Sequence, residues 1–180
     1  SILDLNGGTL QAGANNSSFV SSLYAAFVDA GGAVIDSQGY NIGIPQALTV
    51  FGPDGGLTKL GSGTLTLTGA NNYSGDTTIN GGTLFTTTAS TTPGSVLLAD
   101  NTGFGIAVLS AGGQYSANNL TLSTSVGTTL NFNMGGFGNP DLAHAPLVVA
   151  TLSNNGVTTV NLADANPQVG EFPLVKYNTL

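Results

Sequence analysis

The sequence predicts an all-β protein: a right-handed, single-stranded parallel β-helix (a β-solenoid) of about seven or eight rungs, with one short helix decorating it near residues 18–30. Three observations carry that prediction. Gly-Gly pairs recur along the chain, apolar and hydroxyl residues alternate in short runs, and polarity comes from neutral side chains.

The Gly-Gly pairs begin at Gly7, Gly31, Gly55, Gly81, Gly112 and Gly135, at steps of 24, 24, 26, 31 and 23 residues. A unit of about twenty-odd residues is the coil length of a solenoid, and glycine supplies the backbone freedom for its corners. Apolar β-branched runs stand beside several pairs, as in Gly31-Gly32-Ala33-Val34-Ile35 and Gly81-Gly82-Thr83-Leu84-Phe85.

Between the corners the period is two. Thr64 to Thr68, Leu120 to Ser123 and Thr128 to Phe132 each alternate apolar with polar residues, as a half-buried strand does. In a solenoid the apolar set points into the coil and stacks on rungs about 4.8 Å away, so the chain would form a rod on the order of 35–40 Å long. Turn clusters separate the strands at residues 69–76, 100–103 and 117–119, where Asn and Asp bond their own backbone. Inward-facing Asn is expected to form amide ladders along the axis. Ser17 to Val28 departs from this pattern. Phe19, Leu23 and Phe27 have four-residue spacing, with Ser18 to cap a helix and Gly31 or Gly32 to end it.

Charge excludes several partners. Charged residues are 6% of the 180, net charge is −7, and the basic complement is two lysines with no arginine. Phosphate backbones are bound through Lys and Arg, so nucleic acid is excluded, and an anionic membrane surface is disfavoured. No apolar run reaches the length of about eighteen that a membrane helix needs, so direct membrane insertion is not expected. The chain has no cysteine, which rules out disulfides and thiolate metal sites. Ser1-Ile2-Leu3-Asp4-Leu5 carries neither a basic region nor a cleavage signature, and the whole of 1–180 is expected to be one β-helix segment excerpted from a longer chain.

The stretch 56–84 contains Gly61-Ser62-Gly63-Thr64-Leu65-Thr66-Leu67-Thr68-Gly69-Ala70-Asn71-Asn72-Tyr73-Ser74-Gly75 and closes on Ile79-Asn80-Gly81-Gly82-Thr83-Leu84. It resembles a complete autotransporter-associated β-strand repeat, the passenger-associated repeat of bacterial secreted and surface proteins. Leu5-Asn6-Gly7-Gly8-Thr9-Leu10 resembles the close of a preceding copy, and Gly32 to Ile42 the segment between copies. Gly170-Glu171-Phe172-Pro173-Leu174-Val175-Lys176-Tyr177 is similar to stretches near the end of such passengers. The resemblance implies an extracellular or cell-surface β-helix passenger whose repeat assists export and folding, and it carries no catalytic residue to transfer. Residues 86–169 rest on pattern alone.

Enzymatic chemistry would have to use Asp4, Asp29, Asp36, Asp54, Asp76, Asp100, Asp141, Asp164, Glu171 and His144. Asp29, Asp54, Asp76 and Asp100 recur at steps of 25, 22 and 24. Stacked on adjacent rungs, two such carboxylates would lie about 5 Å apart, the separation of a retaining glycosidase pair. The competing explanation is that Asp suits one corner of every coil, and it is preferred because each sits among Asn and Gly. Lyase chemistry would need a basic residue, and Lys59 and Lys176 are the whole supply. No calcium-binding loop motif is present, and His144 has no second His or Cys with which to hold a metal. Gly61-Ser62-Gly63 and Gly135-Gly136-Phe137-Gly138 do not lead into a Lys-Ser or Lys-Thr helix, so they read as corners and not phosphate loops. Tyr40, Tyr73, Phe104, Tyr115 and Phe137 could stack on surface glycans if exposed, although core packing is the preferred expectation.

The expectation is therefore a stalk or passenger segment that is not an enzyme and has no catalytic, cofactor-binding or metal site. Its expected partners are neighbouring segments or copies of the same chain, assembled end to end, with surface glycans as a further possibility. The alternatives are a subunit of an extracellular fibre or surface layer, and a carbohydrate-active or glycan-binding β-helix.

Overall fold

Every strand pairing among the described residues is parallel, and the strands that pair lie two or three apart in chain order, so the chain winds and stacks on itself. The computed structural model describes residues 1–123, 125–137, 143–163 and 173–180. Seventeen strands are found among them, in three sheets.

The longest sheet has eight strands: β2 (Thr9–Gln11), β4 (Ala33–Asp36), β7 (Leu57–Leu60), β9 (Thr77–Ile79), β11 (Val96–Leu98), β13 (Tyr115–Leu122), β15 (Leu147–Asn154) and β17 (Val175–Thr179). The second has six: β5 (Ile42–Ile44), β8 (Thr64–Leu67), β10 (Thr83–Thr87), β12 (Gly103–Ala107), β14 (Thr128–Asn133) and β16 (Thr158–Ala163). Among the described residues a third side is strand-like only near the N-terminus, as β1 (Ile2–Leu5), β3 (Ala25–Val28) and β6 (Leu48–Thr49). This is a stack of parallel sheets of the β-solenoid kind.

The alternating runs form the strands the sequence predicts. Leu65 and Leu67, Leu120 and Leu122, and Leu130 and Phe132 are buried, while the polar residues between them face outward. Register aligns the inward residues into columns. Ile42, Leu65, Leu84, Phe104 and Leu130 stack in the six-stranded sheet, and Ala33, Leu57, Thr77, Val96 and Leu120 in the eight-stranded one. Removing these columns from water is the main stabilising term, at about 1.5–3 kcal/mol per large side chain.

The coil length is not constant. Along the eight-stranded sheet, partner residues such as Thr9 and Val34, Ala33 and Leu57, Leu57 and Thr77, and Thr77 and Val96 are separated by 25, 24, 20 and 19 positions. Val96 and Leu120, Leu120 and Leu152, and Leu147 and Val175 are separated by 24, 32 and 28. The Gly-Gly pairs mark corners, but not one corner throughout. Gly7, Gly31 and Gly55 open pairs that lead into the eight-stranded sheet, Gly81 leads into β10 of the six-stranded sheet, and Gly112 and Gly135 follow β12 and β14.

The helix expected near residues 18–30 does not form, and no helix occurs among the described residues. The segment is irregular up to β3, and its amides bond to other coils: Phe19 N–H to Gly43 O at 2.8 Å and Tyr24 N–H to Ser1 O at 2.8 Å. In β3, Ala26 and Val28 point inward and are fully buried, while Phe27 faces out against Phe51 with ring centroids 5.9 Å apart. A two-residue alternation thus overrode the four-residue spacing, because β1 and β6 offer a ladder on both sides. Asn also departs from expectation, since the amide step Asn161 Nδ2 to Asn131 Oδ1 at 3.0 Å runs along the exposed outer face.

Candidate functional site

Three of the four recurring aspartates, Asp54, Asp76 and Asp100, tie one coil to the next through their carboxylates. Asp29, Asp54 and Asp76 lie at the turn entering the eight-stranded sheet, whereas Asp100 lies at the next turn, between β11 and β12. The Asp54 carboxylate accepts hydrogen bonds from Ser74 N–H at 2.8 Å, Ser74 Oγ at 2.7 Å, Gly75 N–H at 2.6 Å and Gly56 N–H at 3.0 Å. Asp76 Oδ1 accepts from Ser95 N–H at 2.8 Å, and Asn6 Oδ1 from Gly31 N–H at 2.8 Å. At the other turn, Asp100 accepts from Ser125 Oγ at 2.6 Å and Asp36 from Gln11 Nε2 at 3.0 Å. All of these bonds except the local one from Gly56 span roughly one coil. They satisfy N–H groups that a corner would otherwise leave without a partner.

Electrostatics follow from that geometry. Partial burial pushes the Asp54 carboxyl up, but the donors from Ser74, Gly75 and Gly56 outweigh it and hold the group below its ordinary value. The Ser125 hydroxyl bond lowers Asp100, and the Gln11 amide lowers Asp36. A glycosidase acid needs the opposite shift. The Asp54 oxygens are committed to these donors, and Asp100 lies at a different turn from Asp29, Asp54 and Asp76.

Lys59 is the polar residue that the sequence reading passed over. It occupies the inward column between Ile35 and Ile79 and is fully buried. Its Nζ donates to Ser37 Oγ at 2.8 Å, Leu60 O at 2.8 Å, Gly61 O at 2.8 Å and Gly81 O at 3.1 Å. Desolvation pushes the ammonium down to about 8, with the charge of Asp36 opposing the shift. The parity of β7 contains the signal: with Leu57 inward, Lys59 must be inward as well.

Other inward polar groups are equally committed. Asn71 Oδ1 accepts from Leu48 N–H at 2.9 Å, while its Nδ2 donates to Gly69 O at 2.9 Å and Ser90 Oγ at 3.2 Å. Tyr73 bonds Thr77 at 3.0 Å, and Tyr115 bonds Thr92 at 2.6 Å. Burial raises the Tyr73 phenol strongly and pushes Tyr115 up to about 12. No buried side-chain N or O among the described residues lacks a hydrogen bond.

Of the five aromatics named from sequence, Tyr73, Phe104 and Tyr115 are core residues, the last two in edge contact at 5.6 Å. Tyr40 and Phe137 are exposed at different turns, Tyr40 before β5 and Phe137 after β14, and so do not form one face. Among the described residues the most exposed aromatics are Phe51 at 88% and Tyr24 at 85%, neither of which belongs to that set. His144 is exposed beside Gly112, and among the described residues no three His, Asp or Glu side chains gather as a metal site. Asp141, Asp164, Glu171, Gly138 and the stretch from Gly170 to Phe172 lie outside the described residues. No helix among the described residues is long and apolar enough to cross a membrane.

The family model described as passenger-associated-transport-repeat matches residues 57–84. No curated protein and no solved structure gives a significant match to the chain.

Proposed function

We propose that this chain, which carries a passenger-associated-transport repeat at residues 57–84, is a structural passenger segment of a secreted or cell-surface protein, without catalysis, that assists export and folding and holds other parts away from the surface. The observation that carries this reading is how the repeat spends its polar groups. Within 57–84, Lys59, Asn71, Tyr73 and Asp76 all bond to another coil or within their own, and the apolar set enters the common columns. Such a coil is a unit of propagation. Each one contacts only its neighbours, so a folded coil is a template for the next as the chain emerges. Neutral Thr, Ser and Asn side chains are also less costly to desolvate in a narrow conduit than charged ones. A right-handed winding is proposed on the general handedness of parallel crossovers. The sparse basic charge supports a role without nucleic acid or an anionic bilayer as partner.

The test is deletion of residues 57–84 from the parent protein, followed by surface labelling and protease accessibility. Surface delivery is expected to fall severalfold while synthesis is unchanged. Unchanged delivery would refute the export role.

A further inference from the structure

We infer that a trough on the outer side of β13 is a binding site for a neutral oligosaccharide. It has a volume of about 510 Å³ and lies between the loop carrying Thr88, Thr91 and Pro93 and the run Gln114–Asn118, with Ala150 of β15 beyond. β13 is eight residues long where β11 beside it has three, so its first half stands over a loop and the side of the coil is indented there. The walls are held from within by Tyr115 and Thr92, whose hydroxyls are 2.6 Å apart, and by Asn118 N–H bonded to Gly94 O at 3.1 Å. Ligand binding therefore needs little ordering of the protein.

The lining specifies the ligand class. Ser116 and Asn118 point outward from alternate positions of β13, and Thr91 faces them from the loop. Among the described residues, their hydroxyl and amide groups have no protein partner, unlike the hydroxyls and amides of the interior. Gln114 donates through Nε2 to Ala145 O at 2.9 Å and keeps its Oε1 for a donor. Among the described residues, no ionisable side chain lines the trough. An anionic or cationic ligand would lose hydration there without compensation, whereas a hydroxyl-rich neutral one exchanges hydrogen bonds evenly. Pro93 and Ala150 supply apolar surface for the C–H face of a pyranose ring. An extended peptide is less suited, because β13 already has β11 and β15 as parallel neighbours and Gly94 tied to its first half. This site is independent of the export role and sits on different residues.

The experiment is amide-shift NMR on the full 180-residue chain, titrated with cellotetraose, maltotetraose and mannotetraose and, separately, with trigalacturonate and a Gly/Ser/Asn decapeptide. At least one neutral tetrasaccharide is expected to shift residues 88–93, 114–118 and Ala150 selectively. Ser116→Ala with Asn118→Ala should weaken it about tenfold through two lost hydrogen bonds. Ala150→Trp should abolish it by filling the trough, with the thermal midpoint of each variant confirming the fold. The inference is overturned if no neutral tetrasaccharide shifts these residues, if the shifts survive Ala150→Trp, or if trigalacturonate or the decapeptide binds as tightly.

Discussion

Lys59 makes the stability of the coil stack depend on alkaline pH in a direction opposite to that of most lysines. Its ammonium is fully buried, and desolvation brings it down to about 8 from the ordinary 10.5. Below pH 8 both folded and unfolded chains carry the proton, and the folded state bears the whole desolvation cost. Between pH 8 and 10.5 the folded chain releases the proton while the unfolded chain keeps it, so stability rises with pH. Integrated from pH 8 to 10, the two values give about 2 kcal/mol as an upper figure, and about 1 kcal/mol once screening by nearby solvent is allowed for. For a chain of this size that raises Tm by about 2–8 °C. Above pH 10 the buried phenols of Tyr73 and Tyr115 oppose the trend. Their folded values are raised, so the stability they contribute is lost as the unfolded chain ionises. Lys59→Met removes the step. It relieves the ammonium of its desolvation, but leaves Gly61 O and Gly81 O without their donor, at about 1–3 kcal/mol each, so the variant should lie within about 2 kcal/mol of the parent at pH 7. Urea midpoints at half-unit pH intervals measure the effect. A flat or falling parent curve between pH 8 and 10, or a Lys59→Met curve with the same rise, would refute the reasoning.

The corner carboxylates give the complementary acid-side behaviour. Asp54→Ala strips four donors of their acceptor at a partly exposed turn and should destabilise the chain by about 1–2 kcal/mol, seen as a lower urea midpoint. Because the Asp54 carboxyl is held below its ordinary value, its contribution is complete above about pH 4 and lost as pH falls through the folded value, so Asp54→Asn should flatten the acid end of the stability curve. Gly105→Val should lower stability by about 1–3 kcal/mol, since a Cβ there meets the ring of Phe85 on the neighbouring strand, and Gly105→Val with Phe85→Ala should recover part of that loss. Four Gly/Ser residues inserted between Ser110 and Ala111 should change the midpoint by less than about 1 kcal/mol, whereas one residue inserted between Leu65 and Thr66 turns the rest of β8 to the wrong face and should abolish cooperative unfolding.

The strands were readable because a two-residue period leaves no second interpretation for Thr64 to Thr68 or Thr128 to Phe132. The corners were readable as corners but not as to which corner, because Gly-Gly serves entry into the eight-stranded sheet at Gly31 and entry into the six-stranded sheet at Gly81. Local chemistry is the same at both, and the difference is set by the partner coil. The misplaced helix has the same cause. Phe19, Leu23 and Phe27 are spaced as a helix face, but Ala26 and Val28 complete a column that needs β1 and β6 on either side. Lys59 was legible in the parity of Leu57-Thr58-Lys59-Leu60 and was missed because lysine is ordinarily an outward residue. What no pattern announced was its set of acceptors. The carbonyls of Leu60, Gly61 and Gly81 converge only when two turns are stacked.

The variation in coil length explains how one architecture tolerates so uneven a sequence. Paired residues are separated by 19 positions between β9 and β11 and by 32 between β13 and β15, yet the inward columns continue through both. The longer coil gains residues within its ladder, since β15 has eight residues where β11 has three, and between strands, where lengthening a closed loop costs only about 0.6 kcal/mol per doubling. Selection on such a chain acts unequally. An inward position must suit the positions above and below it, a turn must supply an acceptor to the next coil's N–H groups, and the length between them is almost free. A chain under those constraints keeps its cross-section while its outline varies. That arrangement lets outward features such as the indentation at β13 arise without disturbing the columns beneath.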